Sequence, residues 1–319
     1  MKKAVLFTVC IIMATQLHAL KRDPAYRDAR RYGAMAKIEL RVVNDDGVPI
    51  PYADIDVFMG MNFRPEGYSI TGRTDTNGVF VVKGKTCGDE INVNVKKAGF
   101  YRTSKTFRFA EMGHEYAVRD GRWQPYGKSE RIILRDMRNP IDMPHENFWK
   151  FKYTNAINMW IGYDIKENDF VVPYGNGKVA DFEVYIDWNG EWLPTYTGMA
   201  VRIRFTEPFS GCYAYDINRE SNFKGPYSAS PSSIKQTEEE FYERVFDNGE
   251  RREQKHFNPG KCWVVRSRCK VSPDGKLLLA NYSVIYDIAF TCKSGGYGGF
   301  CITSAFNPTP NDTNLEAKQ

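Results

Sequence analysis

The residues best suited by type and spacing to do chemistry lie between Asp181 and Trp192. Along Asp181-Phe-Glu-Val-Tyr-Ile-Asp-Trp188 polar and apolar residues alternate without a break. A β-strand here puts Phe182, Val184, Ile186 and Trp188 on one face and Asp181, Glu183, Tyr185 and Asp187 on the other. Asn189-Gly190 follows, a pair favoured in two-residue hairpin turns. That register sets Trp188 opposite Glu191 and Asp187 opposite Trp192, which adds a tryptophan to the acidic face beside Tyr185. Carboxylates accept hydrogen bonds from sugar hydroxyls, and aromatic faces receive sugar rings. Glu183, Tyr185, Asp187 and Trp192 are therefore the candidate ligand-binding residues, and carbohydrate is the ligand class they suit. The competing reading is a solvated face on which Arg202 and Arg204 of the next strand pair with the acids while a loop covers Trp192.

Catalysis by the same acids has less support. Residues two apart on a strand are about 7 Å apart, so Asp181 and Glu183 could match the roughly 6.5 to 9.5 Å carboxyl separation of an inverting glycosidase. A catalytic acid also needs burial to raise its pKa, and this face reads as solvated. Asp75-Thr-Asn-Gly78 lacks the further acids of a calcium loop and reads as a hairpin turn. Ser232-x-x-Lys235 has a nucleophile's spacing without the Lys-Thr-Gly or Ser-Asp-Asn that should accompany it. The glycines from Gly295 to Gly299 lack a following Lys-Ser or Lys-Thr, so they make no phosphate cradle. No Cys-x-x-Cys occurs, and His114, His145 and His256 are scattered, so neither a metal nor a cofactor is assigned.

The address of the chain comes from its first residues. Lys2 and Lys3, the apolar run from Ala4 to Ala14, and Leu17-His18-Ala19 have the form of a secretory signal peptide over residues 1–19. The apolar run falls short of the roughly 20 residues a membrane-spanning helix requires, so the expected mature chain is secreted or periplasmic and has no transmembrane span. Lysine and arginine number 44 against 39 acids, with both signs interspersed. Such a distribution offers no basic stripe for nucleic acid. Cys10 leaves with the leader, and Cys87, Cys212, Cys262, Cys269, Cys292 and Cys301 remain. An even set in an exported chain suggests disulfides. Cys262 and Cys269 fall on opposite faces of one strand, whereas Cys292 and Cys301 flank a glycine-rich loop and are the expected pair.

The elements that must position these residues read as mainly β. A charged segment over 20–35 predicts a tether or short exposed helix, with Asp23-Pro24 as its start and Gly33 as its stop. Strands alternate with turn residues from Ile38 to Leu134, interrupted by a predicted loop over 110–128. Two prolines in Asn139-Pro140-Ile-Asp-Met-Pro144 mark a boundary and an expected site of proteolysis. A second, mostly antiparallel β domain over 139–306 is predicted to carry one short helix, because Thr237-Glu-Glu-Glu240 has capping-box spacing and Gly249 stands where a helix would stop. Residues 307–319, with Pro308 and Pro310, read as a disordered tail.

Four features of the first region occur together: Asp46-Gly47 after a strand, Pro49-Ile-x-x-Ala53, Thr74-Asp-x-x-Gly-x-Phe80, and Gly99-Phe-Tyr101. On these, residues 36–136 resemble the carboxypeptidase regulatory-like domain, which implies a transthyretin-like β-sandwich and an accessory, extracellular habit without chemistry of its own. Peptidase activity does not come with the resemblance, since none of His114, His145 and His256 begins a His-x-x-Glu. The following region, with Gly162-Tyr-Asp164, Asp169-Phe-Val-Val-Pro-Tyr-Gly-Asn-Gly177 and Ala180-Asp-Phe-Glu-Val-Tyr185, resembles exported bacterial proteins in which it follows an accessory domain of this kind. The functional expectation is an exported, non-catalytic binding or surface-associated module whose partner is an extracellular or periplasmic glycan or protein. A secreted, glycosidase-like hydrolase and a purely structural envelope protein are the alternatives.

Overall fold

The computed structural model describes residues 23–61, 64–109, 116–144, 150–188, 199–247, 250–253, 260–293 and 297–318. Among them the chain is mainly β and divides into two compact units, one reaching to Met137 and including Glu220–Asn222, the other holding the rest.

The first unit opens with helix α1 (Pro24–Tyr32), where Asp23 accepts a hydrogen bond from the Ala25 N–H and Gly33, at φ 82°, ends the turn. The helix is less exposed than its composition suggests. Tyr26 and Ala29, three apart on one face, are buried, and Asp89 holds both the Tyr26 hydroxyl and Arg30 at 2.8 Å. Nine strands follow: β1 (Ala34–Val43), β2 (Asp54–Met61), β3 (Arg64–Arg73), β4 (Val79–Thr86), β5 (Glu90–Lys96), β6 (Thr103–Arg108), β7 (Val118–Arg119), β8 (Arg122–Trp123) and β9 (Lys128–Ile133). β1 runs antiparallel to β4 and parallel to β9 and β8, and a second sheet has the order β3-β2-β5-β6. Strict alternation on β1 buries Ala36, Ile38, Leu40 and Val42 in one core with Ile55, Val57, Val93 and Val95 of the second sheet. Gly78 must be glycine, because at φ 72° a Cβ would meet the Val42 carbonyl at 2.5 Å.

The segment predicted as a loop over 110–128 instead carries β7 and β8. Trp123 is fully buried there against Tyr26 and Phe109, and its indole N–H donates to the Thr86 carbonyl at 2.9 Å. A single large side chain anchors residues whose neighbours lack strand periodicity.

The second unit comprises β10 (Lys152–Thr154), β11 (Trp160–Asp164), β12 (Asp169–Phe170), β13 (Phe182–Trp188), β14 (Met199–Arg204), β15 (Gly211–Asp216), β16 (Glu238–Asp247), β17 (Glu250–Glu253), β18 (Lys261–Val271), β19 (Leu277–Lys293) and β20 (Tyr297–Phe306). They form two antiparallel sheets, β12-β11-β13-β14-β16-β17 and β10-β20-β19-β18-β15. Ile161, Tyr163, Phe182, Val184, Ile186, Val201 and Ile203 of the first share a core with Trp263, Val265, Ile285, Phe300 and Ile302 of the second. The five-stranded sheet is buried on both faces. Cys262, Val264, Tyr282 and Val284 lie in another cluster with Met143, Leu315 and Ala317, which explains the unbroken apolar runs of β18 and β19.

Three expectations are corrected here. The helix predicted from Thr237 onward is strand β16, because Glu238, Glu239 and Glu240 pair with Arg204, Ile203 and Arg202 of β14 and sheet pairing overrides the capping-box spacing. In this unit the described helical structure is a single 3₁₀ turn, Pro231–Ser233. The tail is also ordered. Leu315 is fully buried, and Asn307 donates to the Asp312 and Asn314 carbonyls. The Glu316 carboxylate accepts from the Arg138 and Asn139 N–H groups at 2.8 and 2.6 Å. Finally, Cys292 lies opposite Gly298 and Cys301 opposite Ala289 in the β19–β20 ladder. Three ladder positions amount to roughly 10 Å along the strand, beyond the ~7 Å Cα limit for a disulfide, so that pairing is not made.

Candidate ligand face of the six-stranded sheet

The alternation of β13 is realised from Phe182 onward. Phe182, Val184 and Ile186 point into the core, while Glu183, Tyr185 and Asp187 share the outer face. Asp181 leaves that face and is buried, because it precedes the strand and turns inward. Trp192, with the expected hairpin turn at Asn189-Gly190, lies outside the described residues.

Neighbouring strands complete the outer face. Trp160 of β11 pairs with Tyr185, which pairs with Arg202 of β14, while Gly162, Glu183 and Arg204 form the next row. The Trp160 and Tyr185 rings lie 5.4 Å apart at 56°. Arg204 places its guanidinium 4.0 Å above the Trp160 ring and donates to Glu183 at 2.7 Å; Arg202 covers Tyr185 at 4.5 Å and donates to Asp187 at 3.3 Å. The arginine pairing that competed with a bare aromatic platform is therefore present. Each such cation–π contact is worth about 0.5–1 kcal/mol at exposed sites, and each exposed ion pair about 0.2–1 kcal/mol, so the layer is weakly held. Trp160 was readable as a member of this face, since Ile161 and Tyr163 alternate with it and point inward.

The deepest charges of the unit lie elsewhere. Arg268 donates to Asp164 at 2.6 Å and to both oxygens of Asp181 at 2.9 and 3.0 Å, and the Ser267 hydroxyl donates to Asp181 at 2.6 Å. Asp164 also accepts from the N–H groups of Glu167, Lys178 and Val179, and Asp181 from that of Ile165. Burial pushes the Asp164 carboxyl up, but these three N–H groups and Arg268 outweigh it and hold the group below the ordinary carboxylate value. Arg268 occupies the left-handed region at φ 53°, where the β18–β19 register shifts, and this bulge aims it at the two acids. With every carboxylate oxygen engaged, the trio joins the two sheets rather than presenting a reactive group. No sequence signal marks it, because the bulge falls on an arginine instead of a glycine or asparagine.

Glu207, exposed at the surface, is raised above the ordinary value, first by partial desolvation and further by the nearby Asp181 charge, although the Cys269 N–H opposes this. Burial likewise pushes the Cys212 and Cys269 thiols up to about 11, the opposite of what a nucleophilic thiolate needs. Among the described residues no group of three or more His, Cys, Asp or Glu side chains converges on a point where a metal could bind.

No family model and no curated protein matches the chain. Solved structures similar to it include 3-chlorocatechol 1,2-dioxygenase from Rhodococcus opacus 1CP, at 15% identity and a TM-score of 0.25 over 33% of this chain and 61% of that one. Wild-type catechol 1,2-dioxygenase from Acinetobacter radioresistens is 14% identical, with a TM-score of 0.26 over 37% and 56%. This chain thus spans less than two thirds of either enzyme, and likeness at that level carries no argument about activity. Among the described residues no helix is long and apolar enough to cross a membrane.

Proposed function

We propose that the protein is an exported, non-catalytic binding or surface-associated module that engages a glycan or protein through the outer face of its six-stranded sheet. The observation that carries this reading is the layer built by Trp160, Glu183, Tyr185, Asp187, Arg202 and Arg204, where two adjacent rings and two ion pairs lie half-exposed on one face of the sheet. Rings supply contact area to a sugar or an apolar side chain, and the charged groups supply hydrogen bonds that fix its orientation. The non-catalytic part is supported by the fully engaged Asp164 and Asp181 carboxylates and by the raised Cys212 and Cys269 thiols. A carboxypeptidase regulatory-like first domain and a cleaved leader at residues 1–19 complete the reading as an accessory protein of the extracellular or periplasmic space.

The test is a glycan array together with a pull-down against envelope proteins, each run with wild type, Tyr185→Ala and Trp192→Ala. A partner captured by wild type and lost with Tyr185→Ala, at unchanged unfolding midpoint, supports the proposal. Hydrolysis of any arrayed glycan by the wild-type protein counts against it.

A further inference from the structure

The first unit carries a polar groove of about 530 Å³ on the outer face of the β3-β2-β5-β6 sheet, a size within the range of small-ligand sites. Its floor is set by register. Arg73, Asp54 and Lys96 form one row, and Thr71, Asp56, Asn94 and Ser104 the next. Arg102 forms one edge.

The charges in this groove are unequally used. Asp54 is neutralised by Arg73 at 2.8 Å. Arg102 and Ser104 both donate to Asn94 Oδ1, at 3.0 and 2.7 Å, which assigns the amide and leaves its NH₂ to donate outward. Asp56 and Lys96 have no ion pair among the described residues. The groove therefore presents one carboxylate acceptor, an amide and a hydroxyl, and two cations.

A simple anion would satisfy Lys96 and Arg102 but face the Asp56 carboxylate. A neutral sugar would satisfy Asp56 and Asn94 but leave the cationic side unused. We propose that the groove is a binding site for an acidic sugar residue, whose carboxylate lies toward Lys96 and Arg102 and whose hydroxyls donate to Asp56 and accept from Asn94. Phe58, exposed one row beyond Asp56 on the same face, extends the site with an apolar surface. The inference is independent of the second unit's face, since it uses none of its residues.

Isothermal titration of the full chain with galacturonate and glucuronate trisaccharides, a neutral galactose trisaccharide and sodium sulfate tests it. At least one acidic trisaccharide should bind about ten-fold tighter than the neutral one, and the difference should shrink as salt rises. Lys96→Ala should abolish the preference, and Asp56→Asn should weaken acidic and neutral sugars together. Both positions are exposed, so thermal midpoints should not move, while Lys276→Ala, in an exposed turn of the other unit and outside its candidate face, should leave the titration unchanged. Lack of binding by both acidic trisaccharides, binding indifferent to Lys96→Ala and Asp56→Asn, or equal competition by sulfate overturns the proposal.

Discussion

Arg268 illustrates how one residue can tie two sheets together. Its guanidinium neutralises Asp164 and Asp181, whose side chains are 1% and 0% exposed. Arg268→Ala would strand two buried carboxylates, so we expect a loss of about 3–5 kcal/mol, read by urea unfolding of the purified protein. Arg268→Lys should rescue little, because a single ammonium cannot reproduce the forked contact to both acids. Asp164 also sets a pH response. The folded-state pKa of Asp164 lies below its unfolded value, so folding favours the ionised form. That contribution is present above about pH 4 and is lost as the pH falls through the folded value. Asp164→Asn should therefore lower stability at neutral pH and flatten its decline on acidification. An equally steep decline in the variant would assign the acid response to other groups.

At the scale of elements, the closing segment is the clearest case of sequence signals read in the wrong sense. Asn307, Asp312 and Asn314 look like residues of a disordered tail, yet each makes a specific hydrogen bond within the second unit. Leu315 packs against the face of the five-stranded sheet that the other sheet does not cover. Leu315→Ala should cost about 2–4 kcal/mol, measured by thermal or denaturant unfolding. The bond from Ile141 N–H to the Glu316 carbonyl and the Glu316 contacts to Arg138 and Asn139 pin the proline-bearing segment that looked cleavable. Limited proteolysis should spare 138–142 in the wild type and cut there in Glu316→Ala. Cleavage of the wild type at those residues would show that the pinning is not maintained in solution.

Across the whole molecule, legibility followed periodicity. The mainly β class, the core face of β13, and strands β1, β5, β14, β18 and β19 could be read from alternation or from apolar runs bounded by turns. Asp75 and Gly78 could be read as a turn, and Asp75 does accept from the Asn77 and Val79 N–H groups. What could not be read depended on partners distant in sequence: β16 held as a strand by β14, the tail held by the β18–β19 face, and Arg268 turned inward by a bulge. The candidate face was half legible. Glu183, Tyr185 and Asp187 follow from period two, and the arginine covering of the rings follows from neither residue alone. The most direct test of the binding account is one titration series on a partner captured by the wild type, comparing wild type with Trp160→Ala/Tyr185→Ala at equal thermal midpoint. We predict that the double variant binds at least about ten-fold more weakly, and an unchanged affinity would contradict the assignment of this face as the site.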